Sequence, residues 1–305
     1  MTPPRIHIND SIQTITDSSW VIGGKLVLSR QHLPSPTQPS WGDSNGGFFV
    51  LSDAPSPLPH CRPHPEDSTT LPLVYSAGDQ SAVWRVGEAF LKVRDRRYPK
   101  VTHEHVTLEY LHNKKPLGFE IPNVIYHDEW IDRYYLVLSR VPGQTLAAAW
   151  PSMDDELRQY YVARVAEACA EMAAWKGNAV CGVDGSELME FYLTNTDSMD
   201  PGKLQENCVT MGMDVSSLVF YHCDLGPGNV IVDPDTRGMG IIDWEIAGYV
   251  PREWVRTKFH LSSGMDFPGV EDADAKVDWR RSVGRKLATM GFQEVIGGWL
   301  AARSE

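Results

Sequence analysis

Three polar side chains in the C-terminal half of the sequence have the types and the spacing that phosphoryl transfer needs. Asp224 and Asn229 lie five residues apart in the segment HCDLGPGN, and Asp243 follows in the segment IIDWE. A carboxylate can orient a hydroxyl group and accept its proton, while an amide and a second carboxylate can hold Mg²⁺. The pattern therefore predicts that Asp224 activates a hydroxyl and that Asn229 and Asp243 bind the metal.

Two strands must bring these side chains together. An apolar run at 218–221 leads into the first segment, and Val230–Val232 leads out of it. The turn DPDTRG separates this run from Gly240–Ile242, which is the pattern of a hairpin. We therefore expect the chain to return so that Asp243, at the end of its strand, lies beside the loop that carries Asp224.

The region from 72 to 141 is typical of a β-rich domain. Its segments predict three strands, a short helix at THEHVTLEYLHN and two further strands. Lys92, in the segment AFLKVRD, is predicted to end the third strand, and residues 76–81 are predicted to form the turn between the first two.

Helices dominate the sequence from residue 146 onward. Ser152 precedes Asp155 by three residues, a spacing that predicts the start of a helix. We expect a further helical region from residue 275. An apolar stripe that we expect to pack in the core recurs about once per helical turn, at Leu157, Tyr161, Val165, Cys169 and Met172.

The first 71 residues are rich in proline but contain two apolar runs. Val21–Leu28 and Phe48–Leu51 are predicted to form strands, with proline-rich surface loops between them. Apolar runs of this kind are uncommon in disordered tails. We therefore expect residues 1–71 to pack on the following β-rich region, and we expect deletion of residues 1–70 to make the remainder insoluble or unstable.

The composition disfavours several classes of protein. The 28 basic and 40 acidic residues give a net charge of −12, which disfavours binding to nucleic acid and to anionic membranes. This charge fits a cationic small molecule as partner, and it fits equally a protein that is acidic for solubility. The five cysteines form no CxxC motif, so we expect neither a disulfide framework nor a zinc site. The sequence shows no signal-peptide pattern and no apolar run of membrane-spanning length, so we expect a cytoplasmic protein.

The segments HCDLGPGN and IIDWE resemble a pattern of the aminoglycoside phosphotransferase and choline kinase superfamily, HxDxxxxN followed by two apolar residues and Asp. The resemblance runs from about residue 72 to about residue 260 and is closest to the phosphotransferase group that reads HGDLxPxNI and IIDWExAG. The chain departs from that group at Cys223, where glycine is usual. The resemblance implies an α+β fold of the protein-kinase type, with a β-rich N-terminal lobe and a mainly helical C-terminal lobe.

The resemblance also implies a domain organisation and a reaction. Residues 72–139 would form the nucleotide-binding lobe, 140–145 the hinge, and 146–305 the lobe with the catalytic loop and the substrate site. ATP and Mg²⁺ would bind between the lobes. The γ-phosphoryl group would pass to a hydroxyl of a small-molecule acceptor, with an amine-bearing acceptor as one candidate.

Three of the site residues, and one alternative, follow from the resemblance in the upstream half of the motif set. Lys92 would contact the nucleotide phosphates, and Glu104 would brace it, with Glu109 as the alternative partner. Ser81 would face the phosphates from the loop 76–81, which covers the nucleotide in the family.

Three further positions take their roles from the same resemblance. Backbone groups of Ser139 and Val141 would bond to the adenine edge. His222 would brace the catalytic loop by hydrogen bonds, which leaves Asp224 as the better candidate for the base.

Three rival functions stay open at this point. A protein kinase is disfavoured, because the chain has neither an HRD nor a DFG sequence. A kinase-fold protein that has lost phosphotransfer and binds a nucleotide or metabolite is an alternative, although the intact set of Lys92, Asp224, Asn229 and Asp243 disfavours it. A third reading is a fold that catalyses different chemistry on a metabolite through the retained acids.

Overall fold

The computed structural model describes residues 6–96, 100–194, 196 and 198–303 of the chain, and the chain divides into two compact units. The first unit comprises residues 1–99 and 122–140, and the second comprises 100–121 and 141–305. Residues 100–121 therefore belong to the second unit, whereas the sequence places them within 72–139. The reason is a pair of backbone hydrogen bonds at Glu120, which donates to Met239 at 2.9 Å and accepts from Ile241 at 2.8 Å.

An antiparallel sheet of six strands occupies the N-terminal part of the first unit. The six strands are β1 (Ile12–Thr16), β2 (Ser19–Ile22), β3 (Leu26–Gln31), β4 (Ser40–Gly42), β5 (Phe48–Asp53) and β6 (Arg62–Pro63). Their order in the sheet is β4-β5-β3-β2-β1-β6. The predicted strand Val21–Leu28 is two strands, because a turn at residues 23–25 reverses the chain within it.

A second sheet of five strands completes the first unit. The strands are β7 (Leu73–Ser76), β8 (Ser81–Val86), β9 (Ala89–Asp95), β10 (Val124–Trp130) and β11 (Arg133–Ser139), in the order β10-β11-β9-β8-β7. Helix α1 (Glu104–His112) lies between β9 and β10 in the chain, so the predicted order of three strands, a helix and two strands is confirmed. The prediction that Lys92 ends its strand is wrong, because pairing with both neighbouring strands continues β9 to Asp95, which lies opposite Arg133 of β11.

The two sheets of the first unit share one apolar core. Trp20, Phe49 and Leu51 of the first sheet belong to the same buried cluster as Trp84 and Leu91 of the second. Burial of each such side chain contributes about 1.5–3 kcal/mol relative to exposure. Residues 8–71 therefore contribute a large part of the core of this unit.

The second unit is mainly helical, with two small sheets of three strands. Its elements after α1 are β12 (Gln144–Thr145), α2 (Leu146–Ala149), α3 (Asp155–Met172), β13 (Lys176–Gly177), α4 (Pro201–Thr210), β14 (Leu218–His222), β15 (Val230–Asp233), β16 (Gly238–Ile241), β17 (Ala247–Pro251), α5 (Arg252–Leu261), α6 (Ala273–Thr289) and α7 (Ile296–Ala302). The strand orders of the two sheets are β12-β15-β16 and β13-β14-β17.

The N-cap of helix α3 lies two residues after the predicted cap Ser152. The carboxylate of Asp154 accepts the N–H of Leu157 at 2.8 Å, so Asp154 is the N-cap and Ser152 is not. Ser152 instead lies in a short 3-10 turn, where its hydroxyl donates to the carbonyl of Ala149 at 2.8 Å. The predicted apolar stripe of α3 is confirmed as core, with Tyr161, Val165, Cys169 and Met172 buried and Leu157 partly buried.

The predicted C-terminal helical region is two helices, because the chain turns at residues 290–295 between α6 and α7. Helix α6 begins at its cap Asp272, whose carboxylate accepts the N–H of Ala275 at 2.7 Å. Among the helices in the described part of the chain, none has both the length and the apolar character that crossing a bilayer requires.

Candidate active site

The loop from 223 to 229 joins β14 to β15 and is folded on itself by backbone hydrogen bonds. The N–H of Gly226 donates to the carbonyl of Asp224 at 2.8 Å, and the N–H of Asn229 donates to the carbonyl of Gly226 at 3.0 Å. A Cβ at Gly226 would lie 3.0 Å from the carbonyl oxygen of Gly264. The absence of a side chain there lets the segment after α5 pack directly on the loop.

Asp224 and Asn229 are joined within this loop. The side-chain amide nitrogen of Asn229 donates to the backbone carbonyl of Asp224 at 2.8 Å and to its carboxylate at 3.2 Å. The nitrogen must be the atom that faces these two acceptors, because an oxygen there would meet oxygen. The amide oxygen of Asn229 is therefore directed away from Asp224 and is the atom that could serve a metal ion.

His222 is buried and joins the loop to the strand that follows it. Its Nδ1 accepts the N–H of Asp224 at 3.2 Å, and its Nε2 lies 3.0 Å from the carbonyl of Ile242. An acceptor at Nδ1 and a donor at Nε2 define the neutral ring. Burial also lowers the pKa of His222. The His222 ring packs edge-on against the Trp244 ring, with ring centres 4.7 Å apart. Both nitrogens serve backbone groups, so the geometry gives His222 a bracing contact on each side of the site.

Asp224 is the carboxylate of this loop with the altered acidity that a base needs. Burial raises the pKa of Asp224 above its ordinary value, and the charge of the nearby Lys258 opposes that rise. A carboxylate with a raised pKa accepts a proton more readily than a solvated one, provided that it is still ionised at the working pH.

Asp243 follows β16 in the left-handed backbone region, with φ of 63° and ψ of 55°. The next N–H, that of Trp244, donates to the carboxylate of Glu104 in α1 at 3.0 Å. The backbone also ties this segment to the loop, because the N–H of Ile242 donates to the carbonyl of Asn229 at 3.0 Å. The predicted hairpin is confirmed, and it returns the chain to the loop through these bonds.

Three carboxylates form a cluster at this position. One carboxylate oxygen from each of Glu104, Asp243 and Glu245 lies within 4.8 Å of the others. Carboxylate oxygens are the ligands that Mg²⁺ prefers, so the donor set fits a divalent cation. Sequence reasoning did not assign Glu245, although it lies two residues after Asp243 inside the segment IIDWE. The position of a third acid in that motif was the available signal.

The structure distinguishes the two glutamates of α1. Glu104 is 2% exposed and belongs to the carboxylate cluster, whereas Glu109, five residues later in the same helix, is exposed. The predicted pairing of Glu104 with Lys92 would join residues of different units and stays a prediction. Within its own unit, Lys92 is buried in β9 with 8% exposure, an uncommon environment for a lysine.

The remaining predicted nucleotide contacts lie at strand ends. Ser81 begins β8, and its carbonyl accepts the N–H of Ala77 across the turn at 2.8 Å. Ser139 ends β11, and its N–H donates to the carbonyl of Asn123 at 2.9 Å. The N–H of Ser139 is thus used within the fold, and the predicted contact of Ser139 with the adenine edge stays a prediction. Val141 is buried and begins the second unit after Arg140.

Cys223 replaces the glycine that is usual in the resembling family, and the structure accommodates it. Its N–H donates to the carbonyl of Ile246 at 2.8 Å, and its side chain is fully buried. Its backbone is not in the left-handed region, so this position does not demand glycine. Burial raises the pKa of the Cys223 thiol well above its ordinary value, which makes the thiol unreactive.

A buried ion pair lies close to the loop and was not predicted. Lys258 of α5 donates to both carboxylate oxygens of Glu190 at 2.7 Å, and the two side chains are 5% and 1% exposed. Its charge opposes the rise in the pKa of Asp224. The ammonium also lies 4.1 Å from the ring centre of Tyr192. No sequence pattern marks this pair, because 68 residues separate its members.

A groove of about 450 Å³ adjoins the loop in the second unit. Trp150 and Phe267 form an aromatic wall, with ring centres 5.2 Å apart. Asp278 and an Asp274–Arg281 ion pair of 2.7 Å line the α6 side. Ala147, another lining residue, donates its N–H to the carbonyl of Pro227 in the loop at 2.9 Å, which connects groove and loop directly.

Comparison with solved structures finds phosphotransferases of low sequence identity. Aminoglycoside phosphotransferase APH(3'')-Id from Streptomyces rimosus matches with a TM-score of 0.52 and 16% identity, over 78% of this chain and 93% of that chain. An APH(2")-IIa ternary complex with streptomycin and ATP matches with a TM-score of 0.47 and 14% identity, over 73% of this chain and 78% of that chain. An aminoglycoside-3'-phosphotransferase of type VIII matches with a TM-score of 0.45 and 18% identity, over 77% of this chain and 92% of that chain. A search of curated protein sequences finds no match.

The fold is therefore that of the kinase-like phosphotransferases, as the sequence predicts. The model of the phosphotransferase enzyme family, APH, matches residues 74–254, which is more than half of the chain and includes every predicted site residue. The chain belongs to this phosphotransferase enzyme family. The predicted resemblance and the predicted fold class are both confirmed.

Proposed function

We propose that the protein is a small-molecule kinase that transfers the γ-phosphoryl group of ATP to a hydroxyl of its acceptor. One observation carries the proposal: the bonded pair Asp224–Asn229 is tied through Ile242 to a cluster of Glu104, Asp243 and Glu245. This is the combination of base, amide and acids that phosphoryl transfer requires.

Asp224 acts on the acceptor hydroxyl in this proposal. Its carboxylate orients the hydroxyl and accepts the proton as the oxygen attacks phosphorus. The raised pKa of Asp224 strengthens it as a proton acceptor, and the amide of Asn229 fixes its orientation. His222 holds the loop in place through its hydrogen bonds to the N–H of Asp224 and the carbonyl of Ile242.

Mg²⁺ would be held by Asp243 and by the amide oxygen of Asn229, with Glu104 and Glu245 completing the acidic environment. A bound Mg²⁺ would neutralise phosphate charge during the transfer. Lys92 would contact the phosphates, Ser81 would face them from its turn, and the backbone at Ser139 and Val141 would bind the base. These nucleotide contacts follow from family membership and from the positions of the residues at strand ends and within β9.

The groove beside the loop is the proposed acceptor subsite. Its volume of about 450 Å³ suits a small molecule. The aromatic wall of Trp150 and Phe267 favours a ring-bearing acceptor. The two carboxylates of the lining, on Asp274 and Asp278, are balanced by the guanidinium groups of Arg158 and Arg281. A hydroxylated ring compound therefore fits the groove, with an amine-bearing acceptor as one candidate.

The direct test is ADP release from Mg²⁺ and ATP in the presence of a panel of acceptors. The panel should contain amino sugars, amino alcohols and neutral sugars, each measured against a reaction without acceptor. We expect at least one amine-bearing, hydroxylated compound to raise ADP release above that baseline. Release that no acceptor raises would contradict the proposal.

A further inference from the structure

The loop between β4 and β5 reaches the end of β11 through a relay of two backbone hydrogen bonds. The N–H of Glu88 donates to the carbonyl of Gly42 at 2.9 Å, and the N–H of Arg140 donates to the carbonyl of Glu88 at 2.8 Å. Arg140 directly follows β11, so the relay connects the N-terminal sheet to the chain segment 139–141.

Side chains reinforce this relay. The hydroxyl of Ser44 donates to the carboxylate of Glu88, whose other oxygen lies 3.3 Å from the guanidinium of Arg140. The Ser44 hydroxyl and the Arg140 charge together lower the pKa of Glu88. Gly87, in the same turn, has a φ of +59°, and a Cβ there would lie 2.4 Å from the carbonyl oxygen of Gly42. The turn therefore requires glycine both for its backbone angle and for the close approach of the loop.

A second contact from the N-terminal region reaches the turn at 76–81. The N–H of Ile8 donates to the carboxylate of Asp79 at 2.9 Å, and the hydroxyl of Ser76 donates to the side chain of Asn9 at 3.2 Å. Arg133, which is 2% exposed, donates to the carbonyl of Asp79 at 2.9 Å and also to its carboxylate. The turn is thus held from two sides.

These two contacts share a property that the family match does not explain. The match to the phosphotransferase enzyme family begins at residue 74, whereas Ile8, Asn9, Gly42 and Ser44 all precede it. The residues that they contact, in the turn 76–81 and at Arg140, lie in the two backbone segments proposed to bind the nucleotide. Residues outside the family match therefore support the turn 76–81 and Arg140 within the first unit.

We propose that the N-terminal extension supports the nucleotide site: residues 8–9 position the turn 76–81, and residues 42–44 position residues 139–140 at the end of β11. This inference rests on the proposed function, since it assigns the nucleotide to those segments. A backbone segment that is held in its binding conformation loses less entropy when the ligand binds, so the extension raises nucleotide affinity. Ser44, Glu88 and Asn9 are positioning residues, and none of them is assigned to contact the nucleotide.

The test uses the full-length protein with Ser44→Ala, Glu88→Ala, their double variant and Asn9→Ala. Asp17→Asn is the matched control, because Asp17 pairs with Arg62 on the same sheet at 3.2 Å and its side chain is 98% exposed. Two quantities are measured: the Kd for Mg²⁺ and ATP by calorimetry, and hydrogen exchange at the amide of Arg140 for the Ser44 and Glu88 variants and at the amide of Ala77 in the turn 76–81 for Asn9→Ala. For the double variant we expect a Kd about 3- to 10-fold higher than wild type and faster exchange, with kcat within about twofold.

Ser44 has a φ of 68°, so Ser44→Gly removes the hydroxyl without straining the backbone and should raise the Kd as Ser44→Ala does. Variants with the Kd and the amide exchange of the Asp17→Asn control would overturn the inference, and so would faster exchange with an unchanged Kd. Absence of nucleotide binding by the wild-type protein would instead overturn the proposed function and the inference together. The wild-type titration therefore tests the function, and the ratio of variant to wild type tests the extension.

Discussion

The carboxylate of Glu104 accepts the backbone N–H of Trp244 at 3.0 Å, although 140 residues separate the two in the chain. This bond attaches the first turn of α1 to the segment that carries Asp243. It also fixes the Glu104 carboxylate next to the carboxylates of Asp243 and Glu245. Glu104 thus has a structural contact and a place in the candidate metal cluster at the same time.

Replacement of Glu104 separates those two roles. Glu104→Gln keeps an oxygen that can accept the Trp244 N–H but removes the charge, so we expect an unchanged melting temperature and an Mg²⁺ requirement shifted upward by about tenfold. Glu104→Ala loses both and should also unfold at lower temperature. Activity is measured against Mg²⁺ and against ATP. A rise in the KM for ATP alone would favour the predicted role as partner of Lys92 over the role in the cluster.

Substitutions of Asp224 and of His222 are expected to change different properties, turnover in the first case and stability in the second. Asp224→Asn removes the proton acceptor and should lower turnover by roughly 10²-fold or more with little change in melting temperature. His222→Ala leaves the Asp224 N–H and the Ile242 carbonyl without their buried partner, which costs about 1–3 kcal/mol of stability. Rate and thermal melting are measured on both variants. Equal rate losses with unchanged melting in both would overturn this division of roles.

The local parts of this site were predictable from the sequence because short-range chemistry determines them. The DPDTRG turn between two apolar runs predicts the hairpin of β15 and β16, and the hairpin is what brings Asp243 back to the loop. The start of α3 shows the limit of such patterns. Ser152 and Asp154 can both cap a helix, and the 3-10 turn that ends at Ser152 leaves Asp154 as the residue in the cap position.

Contacts between distant residues were not predictable in the same way. Glu190 and Lys258 carry no motif, and only the packing of α5 brings the two charges together in a buried environment. The relay from Gly42 to Arg140 consists of backbone groups, which leave no trace in residue identity. Glu245 differs from these, because it lay within a quoted motif and lacked only an assigned role.

Removal of one charge from the buried pair of Glu190 and Lys258 should lower the free energy of unfolding. Lys258→Met leaves the Glu190 carboxylate buried without its counter-charge, and we expect a loss of about 3–5 kcal/mol in the free energy of unfolding. The double variant Glu190→Gln with Lys258→Met removes both charges and should recover much of that loss. Chemical denaturation measures both. A double variant that is less stable than the single variant would show that the pair acts through something other than charge compensation.

Acidification should remove a stabilising contribution that Asp43 makes in the loop between β4 and β5. The Asn45 N–H, with the Arg30 charge and the Gly47 N–H, lowers the pKa of Asp43 below its ordinary value of 3.8. The carboxylate therefore stabilises the folded state above that value, and this contribution is lost as the pH falls through the folded pKa. Asp43→Asn should lower stability at neutral pH and should reduce the loss of stability on acidification, measured by denaturation across pH. Acid sensitivity equal to that of wild type would exclude this role for Asp43.

Phosphorus NMR of the reaction product tests the central claim most directly. The wild-type protein is incubated with ATP, Mg²⁺ and the acceptor that most stimulates ADP release, beside Asp243→Asn and the exposed hairpin variant Asp235→Asn as matched control. We predict a new phosphomonoester signal equal in amount to the ADP formed, retained by Asp235→Asn and lost in Asp243→Asn or when Mg²⁺ is chelated. ADP accompanied only by inorganic phosphate, or a phosphomonoester that Asp243→Asn forms at the wild-type rate, would contradict the account.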